Sequence, residues 1–499
     1  MALEIFTVFL GLCLASAFLL IFRSFYSSKR RGEATTVVVS KLPKGSRGWP
    51  LIGETLSLLS PHRSNSPGTF LLEHCSWYGK IFKSHLFGSP AIVSCDLEFN
   101  VSILQNEEKL FQASYPKAMH GILGKHSLLL VSGEQHKKLR NVAVSFISAS
   151  KATADFHRCL EELCTAMMES WKGRKEVSFH KEAKEFTMSL MVKTLLSIKP
   201  GDVIGSRILE DFLTYMKGFV SLPLYFPGSP YAMAVKARAR LSSTVKEIMK
   251  ERKNKCISSS GDDQNRISDD HSEGVGDFLD VIMGKEGSRW GLSDEEQVSI
   301  VLDILLGGYE TTATLMSLLV YFLAQYPIAL QTLKEEHQAI RRSKQDGEPL
   351  NWEDYNQMQF TYNVICETLR YGNVVKFVHR KAIRDIEYKG LCIPAGWNVL
   401  PMFTATHLDP DLHTNPTEFD PWRWSKDKGT HKKVTPFGGG ARLCPGYGLA
   451  QVELAFFLHH LVLNYRWKIK GDEMPLAYPY VEFKRGLLLK IEPINNSIN

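Results

Sequence analysis

The chain has 499 residues, of which 44% are hydrophobic and 23% charged, with a net charge of +7. These are ordinary globular proportions with room for a large core. The mild positive charge suits anionic headgroups or an acidic protein partner, and the absence of an arginine-rich helix or zinc-finger spacing argues against nucleic acid.

The first predicted element is apolar. Residues 3–22 carry Glu4 as their only charge, and twenty helical residues at ~1.5 Å each span about 30 Å, the thickness of a bilayer's hydrocarbon core. Arg23, Lys29, Arg30 and Arg31 follow and no basic residue precedes, so the positive-inside rule places the N-terminus in the lumen and the body in the cytosol. A cleaved signal peptide is the rival, since Ala15-Ser16-Ala17 mimics a cleavage site. The run continues to Phe22 without a basic leader, which favours an anchor. The chain therefore divides into an anchor (1–22), a basic, proline-rich hinge (23–50, with Pro43, Gly45, Gly48 and Pro50) and a body (51–499).

In the body, Ile81 to Leu86 and Ala91 to Ser94 flank Gly88-Ser89-Pro90 and predict a hairpin. Residues 133–140, GEQHKKLR, include His136, Lys137, Lys138 and Arg140; the two lysines read as a solvated face that also suits an acidic partner. The polar stretch from Lys253 to Asp277 reads as an exposed loop. At Ser293 and Glu296 a capping box opens a helix of about 33 residues, stopped by Pro327. Apolar nearly all round, it is expected to cross the centre of the body. Gly307 and Gly308 in its middle cost about 2 kcal/mol against alanine, and Glu310 and Thr311 follow directly. The plain alternative is a packing glycine pair beside a solvated Glu and Thr.

Glu367 and Arg370 share one helical face, Asp385 to Ile393 reads as a strand, and Pro421-Trp422-Arg423-Trp424 follows. The decisive segment is 437–446, FGGGARLCPG, in which Cys444 sits in a glycine-rich loop ahead of a helical run from Leu449 to Leu463. A thiolate there is stabilised by free backbone N–H groups and the helix dipole. The nine cysteines are scattered and contain no Cys-x-x-Cys pair, which excludes a disulfide framework and a structural zinc site and suits a reducing compartment. Strand signals are few, so the fold class is α+β, mainly α.

Residues 437–446 resemble the haem-binding signature of the cytochrome P-450 superfamily, Phe-x-x-Gly-x-Arg-x-Cys-x-Gly, at every fixed position. Glu367-x-x-Arg370 and Pro421-Trp422-Arg423-Trp424 repeat the likeness in the family's order, as does Gly307-Gly308-Tyr309-Glu310-Thr311-Thr312, which is similar to its oxygen-activation motif. The resemblance implies the P-450 fold and haem b, with Cys444 as the iron's axial ligand. It also implies a buried Glu367–Arg370–Arg423 lock, and a central helix that opens locally where Thr311 and Glu310 manage oxygen's hydrogen bonds and protons. Phe437 belongs to the haem loop, and Arg140, Arg380 and Arg442 are the implied partners of the haem propionates. His136 stands where the family has tryptophan, as a further hydrogen-bond partner, and Tyr371 replaces the usual aliphatic residue.

GEQHKKLR, MKGFVSLPLYFPGSPY and LRYGNVVKFVHRKA look like the plant sterol- and terpenoid-oxidising clan, most of all brassinosteroid C-22 side-chain hydroxylases. That likeness implies an endoplasmic reticulum monooxygenase that draws electrons from NADPH through cytochrome P-450 reductase and uses O2 on a sterol side chain. The pathway would be brassinosteroid or steroidal saponin biosynthesis. Its pocket would draw on residues 115–130, 219–226, 302–306, 374–378 and 478–481. Oxidation at C-23, C-16 or a ring carbon is the nearest alternative. A haem-thiolate isomerase or dehydratase, or a non-catalytic haem- or sterol-binding protein, are the alternatives of different class.

Overall fold

The computed structural model describes residues 41–50, 52–199, 201–219, 221–259, 276–284, 289–345, 347–478 and 480–494. The expected anchor at 1–22 and hinge residues 23–40 lie outside them. Hinge residues 41–50 run along the body, where Lys44 O accepts from Lys83 N at 2.9 Å and Lys41 O from Cys392 N at 3.2 Å.

The architecture is mainly helical with small sheets. Its axis is the helix Asp294–Gln325, whose N-terminus carries the expected capping box between Ser293 and Glu296. Tyr326 caps the far end and Pro327 opens the next helix, Pro327–Arg342. Apolar enough by composition to cross a membrane, this helix instead buries Ile300, Leu305, Ala313, Leu318 and Leu319 in the main core. Phe179–Leu196 packs along it, while Gly133–Ser150 and Gln359–Gly372 also rest against it. The helix Tyr447–Asn464 completes the core with Phe456, Phe457 and Leu458.

A five-stranded sheet lies to one side, in the spatial order Ile81–Leu86, Ser89–Ser94, Asn398–Pro401, Arg380–Ala382 and Phe111–Ala113. Only the Ser89–Ser94 and Asn398–Pro401 pair is parallel. The predicted hairpin is there, with a tighter turn than 88–90: Phe87 and Gly88 both take positive φ (53° and 76°), the two-residue turn whose twist matches paired strands. The strand expected from Asp385 to Ile393 is instead a second hairpin. Ile386–Tyr388 and Leu391–Ile393 pair across Lys389-Gly390, again both at positive φ.

The stretch expected as loop from Lys253 is helical through Ser259, as part of Pro230–Ser259. Ion pairs hold that end: Arg252 reaches Asp277 and Asp280 at 2.7 and 2.6 Å, and Lys253 reaches Asp294 at 3.1 Å. Polar composition marks solvation, and a solvated helix satisfies it as well as a loop does.

Candidate active site

Two glycines shape the cysteine loop. Gly438 and Gly440 have φ of 72° and 62°, and a Cβ on Gly440 would stand 2.0 Å from Leu104 O. The loop thus presses its backbone against the end of helix Leu97–Gln105, where no side chain fits. Cys444 N donates to Phe437 O at 3.0 Å, which closes the loop. Gly446 caps helix Tyr447–Asn464, so the sulfur lies just before a helix N-terminus. Burial pushes the Cys444 thiol up; the backbone N–H groups of Gly446 and Tyr447 and the charge of Arg140 act against it. The Phe437 and Tyr447 rings lie 6.1 Å apart beside it.

Around this loop the structure gathers the other predicted cations. Arg442 donates from Nε to Glu107 Oε1 at 2.5 Å, from Nη2 to Val131 O at 2.6 Å and from Nη1 to Leu128 O at 3.3 Å. Arg380 Nε lies 2.9 Å from Glu107 Oε2. Arg140, half-buried, makes no hydrogen bond to a described residue, and its guanidinium senses Cys444 and Arg442. His136 is buried; burial first, then Arg442, Arg140 and Arg380, push it down to about 4, so it is neutral at pH 7. Glu107 was not foreseen. It stands beside Glu108 in a polar run with no periodicity, and only the fold shows that one of the pair faces two arginines while the other accepts from Gly133 N. Of the two lysines read as a solvated face, Lys138 is tied to Glu296 at 3.3 Å and to Gly291 O, which leaves Lys137 outward beside Glu134.

The central helix runs unbroken through 307–312, so the expected local opening is absent from its backbone. The two glycines do different things. A Cβ on Gly308 would meet Met191 Sδ at 2.2 Å, so this glycine lets the neighbouring helix close in, as the plain packing reading has it. Gly307 faces open space, and Thr311, one turn on, is exposed on a helix otherwise mostly buried. Thr311 Oγ1 donates to Gly307 O at 2.5 Å, and Glu310 pairs with Lys184 at 2.9 Å. Beyond them, burial, Tyr115 and Glu310 push the Tyr480 hydroxyl up to about 12, so Tyr115, just before the helix Lys117–Leu123, and Glu310 both lie near Tyr480.

Asp303, inside the expected pocket stretch 302–306, is a second unforeseen carboxyl. It accepts from Ser127 Oγ at 2.8 Å and Leu128 N at 2.6 Å, and burial raises it to about 7 against those bonds and the charge of Arg238.

The Glu367 lock is fully formed. Glu367 accepts from Arg370 Nε and Nη2 (2.9 and 2.7 Å), Arg423 Nε (3.0 Å), Trp424 Nε1 (3.0 Å) and Asp420 N (3.0 Å). Tyr371, the departure beside it, fits because its hydroxyl donates to Thr417 O and accepts from Asn65 Nδ2, with its ring against Phe322.

The residues present fit a haem. A cysteine ringed by N–H groups suits iron, a half-buried guanidinium with no hydrogen bond to a described residue suits a propionate, and Gly307 on the central helix borders open space. Fold and cysteine loop together define a haem-thiolate monooxygenase. The model of the family described as Cytochrome P450 matches residues 43–495. Cytochrome P450 724B1 of Oryza sativa subsp. japonica is 54% identical over 462 residues, 91% of this chain and 92% of that protein. Cholesterol 22-monohydroxylase CYP90B52 of Paris polyphylla is 43% identical over 91% of this chain and 93% of its own length. Among solved structures, retinoic acid bound cyanobacterial CYP120A1 matches with a TM-score of 0.76 and 25% identity, over 91% of this chain and 99% of that one. The chain belongs to the cytochrome P450 family.

Proposed function

We propose that this protein hydroxylates the side chain of a plant sterol, at C-22, with O2 and with electrons passed from NADPH by a reductase. The observation that carries the reading is the likeness, over nine-tenths of the chain, to proteins named as cholesterol 22-monohydroxylase and steroid (22S)-hydroxylase, at 43% and 41% identity. A second position is favoured by one relative, Cholesterol 16,22-dihydroxylase CYP90G4 of Paris polyphylla, at 40% identity.

In this reading Cys444 would hold the iron, Arg140, Arg380 and Arg442 the propionates, with His136 as a further hydrogen-bond partner and Phe437 as part of the haem loop. The haem, when bound, supplies oxygen activation. Thr311, whose hydroxyl donates to Gly307 O, would supply a hydroxyl for hydrogen bonding beside the haem, and Glu310, held by Lys184, would be the carboxylate that passes protons toward it. Tyr115, Ile304, Val374 and Tyr480 shape an apolar pocket whose wall Asp303 fixes by holding residues 127 and 128. Residues 1–22 anchor the protein in the endoplasmic reticulum membrane and 23–50 connect the anchor to the catalytic body. Leu222, 75% exposed, and Leu224, Tyr225 and Phe226 beside it dip into the same bilayer.

The test is expression of the full chain in microsomes with a plant reductase, fed cholesterol-type and campesterol-type sterols, with products identified by mass spectrometry and NMR. A 22-hydroxylated product is expected from both. Oxidation confined to rings A and B, or activity on diterpenoids alone, refutes the reading.

A further inference from the structure

Glu107 is 6% exposed and lies between two arginines that reach it from segments far apart in the chain. Oε1 accepts hydrogen bonds from Arg442 Nε and from Ala113 N (3.1 Å), whereas Oε2 faces Arg380 Nε at 2.9 Å as an ion pair without hydrogen-bond geometry. A carboxylate buried this deeply is expensive to desolvate and persists only where cations and hydrogen bonds hold it. A pure strut between strand and loop has no need of charge, because Arg442 is already anchored by the carbonyls of Leu128, Leu129 and Val131. The charge count says more. Arg140, Arg380 and Arg442 with Glu107 carry two net positive charges around a neutral His136, and haem b brings two propionates.

We propose that Glu107 is a positioning residue of the haem seat, which orients Arg380 and Arg442 and trims the seat's charge to match the two propionates. Without it the seat holds one surplus buried cation. A surplus positive charge favours the added electron of ferrous haem, so Glu107 keeps the reduction potential low. The inference rests on the haem-thiolate reading alone and is indifferent to the substrate.

The experiment compares full-length wild type, Glu107→Gln and Glu107→Asp. The carbon-monoxide band of thiolate-ligated ferrous haem is recorded first; its absence in wild type would sink the haem reading itself. Midpoint potentials are then measured by spectroelectrochemistry without substrate. Glu107→Gln, nearly isosteric but uncharged, is expected to raise the ferrous-to-ferric ratio at fixed potential about tenfold, a positive shift of about 59 mV for one electron. Glu107→Asp, which keeps the charge, is expected to stay with wild type. Should Glu107→Gln fail to retain haem, retention by Glu107→Asp still separates charge from shape and supports the proposal. If Gln and Asp variants behave alike, in potential or in haem retention, Glu107 is only a strut and the proposal falls.

Discussion

Replacing Glu367 with glutamine exchanges one oxygen for an NH2 group and changes almost nothing in shape, yet it is expected to cost more than any surface charge. The carboxylate serves five donors, three on Oε1 (Arg370 Nη2, Arg423 Nε, Asp420 N) and two on Oε2 (Arg370 Nε, Trp424 Nε1). However the amide is turned, its NH2 group confronts at least two of these donors, and both guanidinium groups lose their counter-charge. Glu367 and Arg370 are 0% exposed, so water cannot make up the loss. Breaking a buried pair in this way costs about 3–5 kcal/mol, less whatever the carbonyls of His407, Pro416 and Thr414 continue to offset. Glu98→Gln is the control. Its pair with Lys389 is just as short at 2.6 Å, but the partners are 74% and 56% exposed, so water screens the pair and replaces it when it is lost. Thermal and denaturant midpoints of the haem-loaded proteins, read from the thiolate carbon-monoxide band, compare the two. A Glu367→Gln protein no less stable than Glu98→Gln would refute the lock.

Cys444→Ala is expected to abolish the red-shifted carbon-monoxide band, whereas alanine at His62 or His157 leaves it in place; a surviving band in the cysteine variant removes Cys444 as ligand. Thr311→Ala is expected to bind haem and sterol but to release more peroxide per NADPH consumed, and unchanged coupling to product would dismiss its role. Glu453, fully enclosed in helix Tyr447–Asn464, is raised by burial to about 8. Its contribution to stability is therefore complete below the usual carboxylate range and lost as pH climbs to about 8. Glu453→Gln is expected to gain on wild type steadily from about pH 5 to pH 8 in denaturant melts; parallel profiles would mean the group is solvated or paired. Removal of residues 1–31 is expected to release part of the protein from microsomes, and the further changes Leu222→Ser and Phe226→Ser to release more; sedimentation of all forms together with the membrane would argue against this attachment.

Local chemistry was legible and pairing across the fold was not. Ser293 with Glu296 announced the central helix because a capping box is complete within four residues. The glycines at 438 and 440 announced the cysteine loop because positive φ is a property of single positions. Lys389-Gly390 could have been read as a turn, but Asp385 and the proline at 394 drew the boundary outward. Glu107 and Asp303 carried no local signal, since what makes each matter is a partner more than 170 residues away. Gly307 and Gly308 looked alike in sequence and separated only when Met191 was found against one of them.

Residues 127–131 are held from two sides. From the central helix, Asp303 accepts the Ser127 hydroxyl and the Leu128 N–H; from the cysteine loop, Arg442 donates to the carbonyls of Leu128, Leu129 and Val131. The two peptide units that flank Leu128 are thus gripped separately, the first by Asp303 through its N–H and the second by Arg442 through its carbonyl. Any displacement of these five residues stretches the bonds at Asp303 or those at Arg442, so the central helix and the cysteine loop are mechanically joined through them.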